Sequence, residues 1–328
     1  MTLISSALQR QRCSSLLLLF VISTFAAVGV AQRAITDATK APNVDGCSRR
    51  SIVLTSSRDP EGINLQPSDL RIKVSDANPS VLYLERENIA PRVIVVLDMS
   101  GSMWSSFGPK WSNALMAANF VLDAVPADSQ VALVTFSEQI HAAPFGRRDD
   151  VRRALIALAK EKPKGRTALF TAIEQALPLF GEPRFGDSLY IVSDGGDDYG
   201  PDTPRQAADA LIQRGTRAFA FLVQDPQGDR STPKEREGLP QLADLVTQTG
   251  GVLLTAAAPA RWMESKDGVE ALNMLRRQLQ TPYKLEIQLA DPPKKFSRLQ
   301  IKSVDSRVQL AYPARIPPCS PLSAATHP

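Results

Sequence analysis

Histidine is nearly missing from this chain: His141 and His327 are the only two in 328 residues. That excludes a zinc centre built on several histidines and any multi-histidine catalytic site. A Ser-His-Asp hydrolase would need one of those two histidines and a nucleophile on a Gly-x-Ser-x-Gly elbow, which the sequence lacks. No Gly-x-x-x-x-Gly-Lys-Ser/Thr loop or Gly-x-Gly-x-x-Gly fingerprint follows a strand-like run, so the usual phosphate cradles are missing too. Excess positive charge is equally scarce. Lys+Arg 38 stand against Asp+Glu 34, and Arg10 and Arg12 are the only charged residues of the first 31. Without those two, 36 basic residues face 34 acidic ones, which gives no clustered basic face for nucleic acid. After residue 31 no run is long and apolar enough to span a bilayer. What remains, hydrophobic 43% and charged 22%, is the composition of an ordinary globular chain.

The first 31 residues read as an address. Arg10 and Arg12 make a positive start, 16–30 is a mostly apolar run headed by four leucines, and Gly29-Val30-Ala31 is a small-x-small cleavage site. The expectation is a secretory signal peptide over 1–31 and an exported product, periplasmic or extracellular. Left uncleaved, the same segment would be an N-terminal membrane anchor. Cys13 precedes the apolar run, which leaves Cys47 and Cys319 in the mature chain. An oxidising compartment permits a disulfide between them that would close nearly the whole mature chain. The other reading is two unpaired thiols in loose termini.

Residues 32–50 are small and polar without a period and read as a disordered lead. Between 51 and 90, strand-like runs at 51–55, 70–74 and 81–85 are separated by turn-rich Asp59-Pro60-Glu61-Gly62 and Asp76-Ala77-Asn78-Pro79. From 91 to 260 strands alternate with helices, the pattern of βαβ units and a mainly parallel, doubly wound α/β sheet covered on both faces. The apolar run 93–97 reads as a central buried strand. Helices are expected over 112–124, 150–159, 168–179, 204–214 and about 239–247, with strands over 130–136, near 140, and over 188–192, 217–223 and 252–255. Over 261–310 a helix at 268–280 precedes alternating runs 283–289 and 299–303, expected as a hairpin-like pair that joins the N-terminal strands in one small β module. Residues 311–328 read as a proline-rich tail.

The chemistry gathers where strands end. Asp98, Ser100 and Ser102 directly follow the first parallel strand, Thr167 lies in Gly165-Arg166-Thr167 at a helix start, and Asp194 follows a strand in Ser193-Asp194-Gly195. In open α/β sheets ligands bind beyond the carboxyl ends of the strands, on loops of this kind. These five residues in this order resemble the metal-ion-dependent adhesion site of the von Willebrand factor type A domain, over about residues 91–256. The flanks resemble the bacterial, acidobacterial-type von Willebrand type A-related subgroup.

The resemblance implies a metal held by Ser100, Ser102 and Thr167, with Asp98 and Asp194 acting through water. Three hydroxyls and two carboxylates are all hard oxygen donors, which suit Mg²⁺, with Ca²⁺ or Mn²⁺ as alternatives. An Asp or Glu carboxylate of a partner protein would complete the coordination, making the chain a non-enzymatic protein-binding module. Arg166 stands where the family usually has a small residue, and it would either weaken metal binding or pair with the partner. Met103 and Trp104 would give an apolar rim to the binding face, with Trp104 as its anchor, or pack under their own loop. Asp197 and Asp198 would form a second layer around the metal or, as two acids in a glycine-containing loop, more often simply be solvated. Two other classes remain: a structural part of a cell-envelope assembly with a degenerate or unused metal site, and a metal-dependent hydrolase.

Overall fold

A computed structural model describes residues 47–58, 64–104, 109–224, 233–256 and 259–319, all within one unit, Val44–Pro328. The expected signal peptide, residues 32–46 of the 32–50 lead and the last nine residues lie outside the described residues. In chain order the strands are β1 (Arg49–Arg58), β2 (Leu70–Val74), β3 (Ser80–Arg86), β4 (Arg92–Asp98), β5 (Gln130–Phe136), β6 (Ile140–Ala142), β7 (Gly146–Arg147), β8 (Ser188–Ser193), β9 (Arg217–Val223), β10 (Leu253–Ala256), β11 (Tyr283–Gln288), β12 (Ser297–Ser303), β13 (Gln309–Ala311) and β14 (Arg315–Ile316). The helices are α1 (Lys110–Ala124), α2 (Arg148–Leu158), α3 (Leu169–Ala176), α4 (Pro204–Arg214), α5 (Pro233–Thr249), α6 (Pro259–Met263) and α7 (Lys266–Gln280).

The main sheet runs β10-β9-β8-β4-β5-β6, with β7 also on β5. Strands β10, β9, β8, β4 and β5 are parallel, and β6 and β7 are antiparallel additions at the edge. Every residue of β4 is buried, as its unbroken apolar run requires, and alternate side chains feed two cores. Val93, Val95 and Leu97 join residues of α1 and α7 in one core, while Ile94 and Val96 join residues of α3, α4 and α5 in the other. This is the doubly wound α/β architecture, and it brings the ends of β4 and β8 together at one edge.

Helix α4 shows how directly some boundaries are written. Thr203 Oγ1 accepts the Gln206 N–H, the Gln206 side chain accepts the Thr203 N–H at 2.9 Å, Pro204 opens the first turn, and Gly215 at φ 68° ends it. Elsewhere the boundaries move. The helix expected over 168–179 ends at Ala176, because Pro178 tightens Leu177–Phe180 into a 3-10 turn. Helix α5 starts at Pro233, earlier than expected, and carries Pro240 inside it.

Strands from both flanks form a β module of two sheets, β13-β1-β11-β3 and β14-β12-β2. Ile52, Leu54, Leu70, Ile72, Val74, Leu285, Ile287, Leu299 and Ile301 share its core. The hairpin expected from 283–289 and 299–303 is corrected. β11 lies between β1 and β3, whereas β12 pairs with β2, so the two strands sit in different sheets. Pro292 and Pro293 donate no N–H to close a tight turn, and the connection instead crosses from one sheet to the other. Strand β1 begins at Arg49, and β14 lies within the segment read as tail. Cys47 and Cys319 are joined by a disulfide, Cα–Cα 5.7 Å, across 272 positions of sequence. Among the described residues no helix is long and apolar enough to cross a membrane.

Candidate functional site

Asp98 closes β4 and is fully buried, as are Ser100 and Ser193. Both its oxygens are engaged: Oδ1 accepts the Ser100 N–H at 2.8 Å, and Oδ2 accepts the Ser193 hydroxyl at 2.7 Å. The first bond turns the chain sharply, which brings Ser102 Oγ within 3.0 Å of Ser100 Oγ. Burial and then the neighbouring Asp194 carboxylate push the Asp98 carboxyl up, to about 7, against the opposing hydrogen bonds from Ser100 and Ser193.

Backbone bonds stitch the three loops together. Gly101 N–H donates to the Gly165 carbonyl at 2.8 Å, and Lys164 N–H donates to the Met99 carbonyl at 2.9 Å. The Thr167 carbonyl accepts the N–H groups of Asp198 and Tyr199 at 2.9 and 2.8 Å. Asp197 and Asp198 are not the solvated acids expected. Asp198 Oδ1 accepts the Thr167 N–H and Asp197 Oδ1 the Leu169 N–H, each at 2.7 Å, so the loop after β8 satisfies amides that open α3. Thr167 is thus fixed by its backbone and is 6% exposed as a residue.

The cation beside these carboxylates is Lys110, which the sequence reading did not single out. Its ammonium lies 2.7 Å from Asp194 Oδ2, with Lys110 3% and Asp194 5% exposed. Its one hint in sequence is its place four residues before Ala114, on a face that α1 buries with Ala117, Ala118 and Val121, but a lysine in a first helical turn normally reaches solvent. Arg166 lies elsewhere. Its guanidinium donates to the Asp198 carbonyl, lies 3.7 Å from the Asp198 carboxylate and stacks 5.0 Å from the Tyr199 ring centre. Met103 is fully buried, whereas Trp104 is 42% exposed with Lys162 Nζ 5.1 Å from its ring centre.

The structure therefore gathers Asp98, Ser100, Ser102 and Asp194 at the end of β4 and β8, with Thr167 on the adjoining loop. Among the described residues no three His, Cys, Asp or Glu side chains group as metal ligands, so a cation here would depend on hydroxyls. Hydroxyls and carboxylates fit a hard dication and disfavour softer metals. Lys110 already supplies one positive charge to Asp194, beside Asp98.

Residues 93–196 match the family model described as the von Willebrand factor type A domain. No curated protein matches the chain. Similar solved structures include an aerotolerance-related membrane protein from Bacteroides fragilis, 18% identical over 57% of this chain and 98% of that one, TM-score 0.42. BatB from Bacteroides thetaiotaomicron is 20% identical over 56% and 98%, TM-score 0.40. A von Willebrand factor type A protein from Catenulispora acidiphila is 15% identical over 77% and 75%, TM-score 0.43. The family match begins in β4 and ends two residues past Asp194, spanning all five positions: over residues 93–196 this chain matches the von Willebrand factor type A domain.

Proposed function

We propose that the edge formed by Asp98, Ser100, Ser102, Thr167 and Asp194 is a protein-binding site of an exported, non-enzymatic module. The hydroxyls of Ser100, Ser102 and Thr167 would hold Mg²⁺, with Ca²⁺ or Mn²⁺ able to replace it, while Asp98 and Asp194 act through water. A bound dication supplies an electrophilic centre for an Asp or Glu carboxylate of the partner. Trp104 offers an exposed aromatic anchor beside it, and Arg166, held over Tyr199, a cation at the rim. The observation that carries this reading is the pair of hydroxyls 3.0 Å apart beside the buried carboxylates of Asp98 and Asp194, two acids beside the single ammonium of Lys110. Such a cluster lowers its free energy by taking up positive charge.

Calorimetric titration of the mature chain with MgCl₂ or MnCl₂ tests it. One ion per chain is expected, lost in Asp98→Ala while the circular dichroism spectrum stays native. A partner captured from envelope or secreted fractions should be released by EDTA. Absence of divalent-ion binding by the wild type would overturn the reading. The Lys110–Asp194 ion pair specifically favours the second one, a structural envelope component in which a lysine has taken over the charge of the metal.

A further inference from the structure

A cavity of about 1010 Å³ opens where β1 and the segment after β13 face the end of α4. The end of α4 leads into the amino end of β9, so this cavity lies at the opposite edge of the sheet from Asp98. Ile52, Val53, Ile212, Leu299 and Ile316 supply apolar walls, with five prolines around them. Three arginines line it, Arg50, Arg214 and Arg315, and no Asp or Glu does.

The three are not equivalent. Arg315 is neutralised by Asp209 at 2.6 Å and bonded to Gln248 at 2.6 Å. Among the described residues Arg50 reaches only the sulfur of Cys319, at 3.7 Å, and its Nε is buried with no partner there. Arg214 donates to the Gly181 carbonyl, and its Nε is likewise buried without a partner. Among the described residues neither guanidinium faces a carboxylate. Desolvation already holds Arg50 below the usual arginine value. A partly desolvated cation without a counter-charge is unfavourable by itself, and an anion that arrives with apolar bulk removes the penalty. An apolar concavity with a few convergent polar groups is the usual form of a small-molecule site, and this volume accommodates a ligand of that size.

We propose that this cavity binds a small amphipathic carboxylate, its aliphatic or aromatic body against Ile52, Leu299 and Ile316 and its carboxylate on the guanidiniums of Arg50 and Arg214. The planar fork of arginine matches a carboxylate in two parallel bonds. A doubly charged phosphate would want more donors than this otherwise apolar lining offers.

Calorimetric titration of the mature chain with decanoate, 4-phenylbutyrate, decanol and decylamine tests the proposal. At least one of the two acids should bind at a ratio of one, and the alcohol and the amine at least about tenfold more weakly. Arg50→Gln and Arg214→Gln should each weaken the acid about tenfold with melting temperatures close to wild type, and Arg50→Lys should recover part of the loss. Asp98→Ala should leave this binding unchanged, which separates it from the reading of the other edge. Equal binding of decanol and decanoate, full affinity in both arginine-to-glutamine variants, or no binding of either acid would overturn the proposal. So would an acidic peptide that binds more tightly than either acid through the same arginines, because it would assign the cavity to a protein segment.

Discussion

Neither Lys110 nor Asp194 has water to fall back on, since both side chains are almost completely buried and lie 2.7 Å apart. Removing one member of such a pair leaves the other charge uncompensated, and here the stranded Asp194 would also face Asp98. Lys110→Met should therefore lower the stability of the chain in EDTA by about 3–5 kcal/mol. For a chain of this size that corresponds to a fall in melting temperature of roughly 5–8 °C. A dication could then replace the missing charge without repulsion from the ammonium. Millimolar Mg²⁺ should raise the melting temperature of Lys110→Met more than that of wild type, and its affinity should be about tenfold tighter or better. Differential scanning calorimetry with and without Mg²⁺ reads both effects. An identical Mg²⁺ response in the two proteins would show that the lysine and the metal do not compete for the same carboxylates.

At the scale of elements, the loop after β8 is held in place by a helix backbone that comes very close. A Cβ on Gly238 in α5 would lie 1.5 Å from the Gly195 carbonyl oxygen, and Gly195 itself has φ +90°. The two glycines let α5 press on the residues that follow Asp194. Gly238→Ala should push α5 away and cost about 2–4 kcal/mol, a value within the range of severe backbone clashes. It should also weaken divalent-ion binding, whereas Gly215→Ala, with nothing near its missing Cβ, should affect stability alone. This close packing was invisible in sequence, because it joins residues forty-three apart with no periodic pattern between them. The elements that were legible have local causes. β4 announces itself by five consecutive apolar residues, and α4 by Thr203, Pro204, Gln206 and Gly215. Asp98, Ser100, Ser102 and Asp194 could be placed at one edge because they close or follow parallel strands, and Thr167 because it lies just before α3. Lys110 could not, because a lysine at the start of a helix normally reaches solvent and only the packing of α1 denies it that route. The pairing of β11 and β12 failed for a related reason: alternation tells which face of a strand is buried but not which strand covers its edge.

For the whole molecule, the chain leaves the β module after β3, builds the α/β domain, and returns through α7 to finish the module with β11 to β14. Its two sheets are therefore assembled from segments about two hundred residues apart, and their association carries a large loop-closure cost. The Cys47–Cys319 bridge removes that cost from the unfolded chain, since it closes a loop of 272 positions just before β1 and just after β14. Chain-entropy reasoning sets its contribution at no more than about 5 kcal/mol. The α/β domain gains little from the bridge by itself, because β4, β5, β8 and β9 and the helices on them are contiguous between the two flanks. Cys47→Ser/Cys319→Ser should therefore act unevenly. Native-state hydrogen exchange should show β1, β2, β11 and β12 opening at least about tenfold more often, with the amides of β4 and β8 little changed. Adding reductant to the wild type should reproduce the pattern. If instead every strand loses protection by the same factor, the β module and the α/β domain unfold as one cooperative body. The bridge would then stabilise the Asp98 edge and the arginine-lined cavity together rather than the cavity alone.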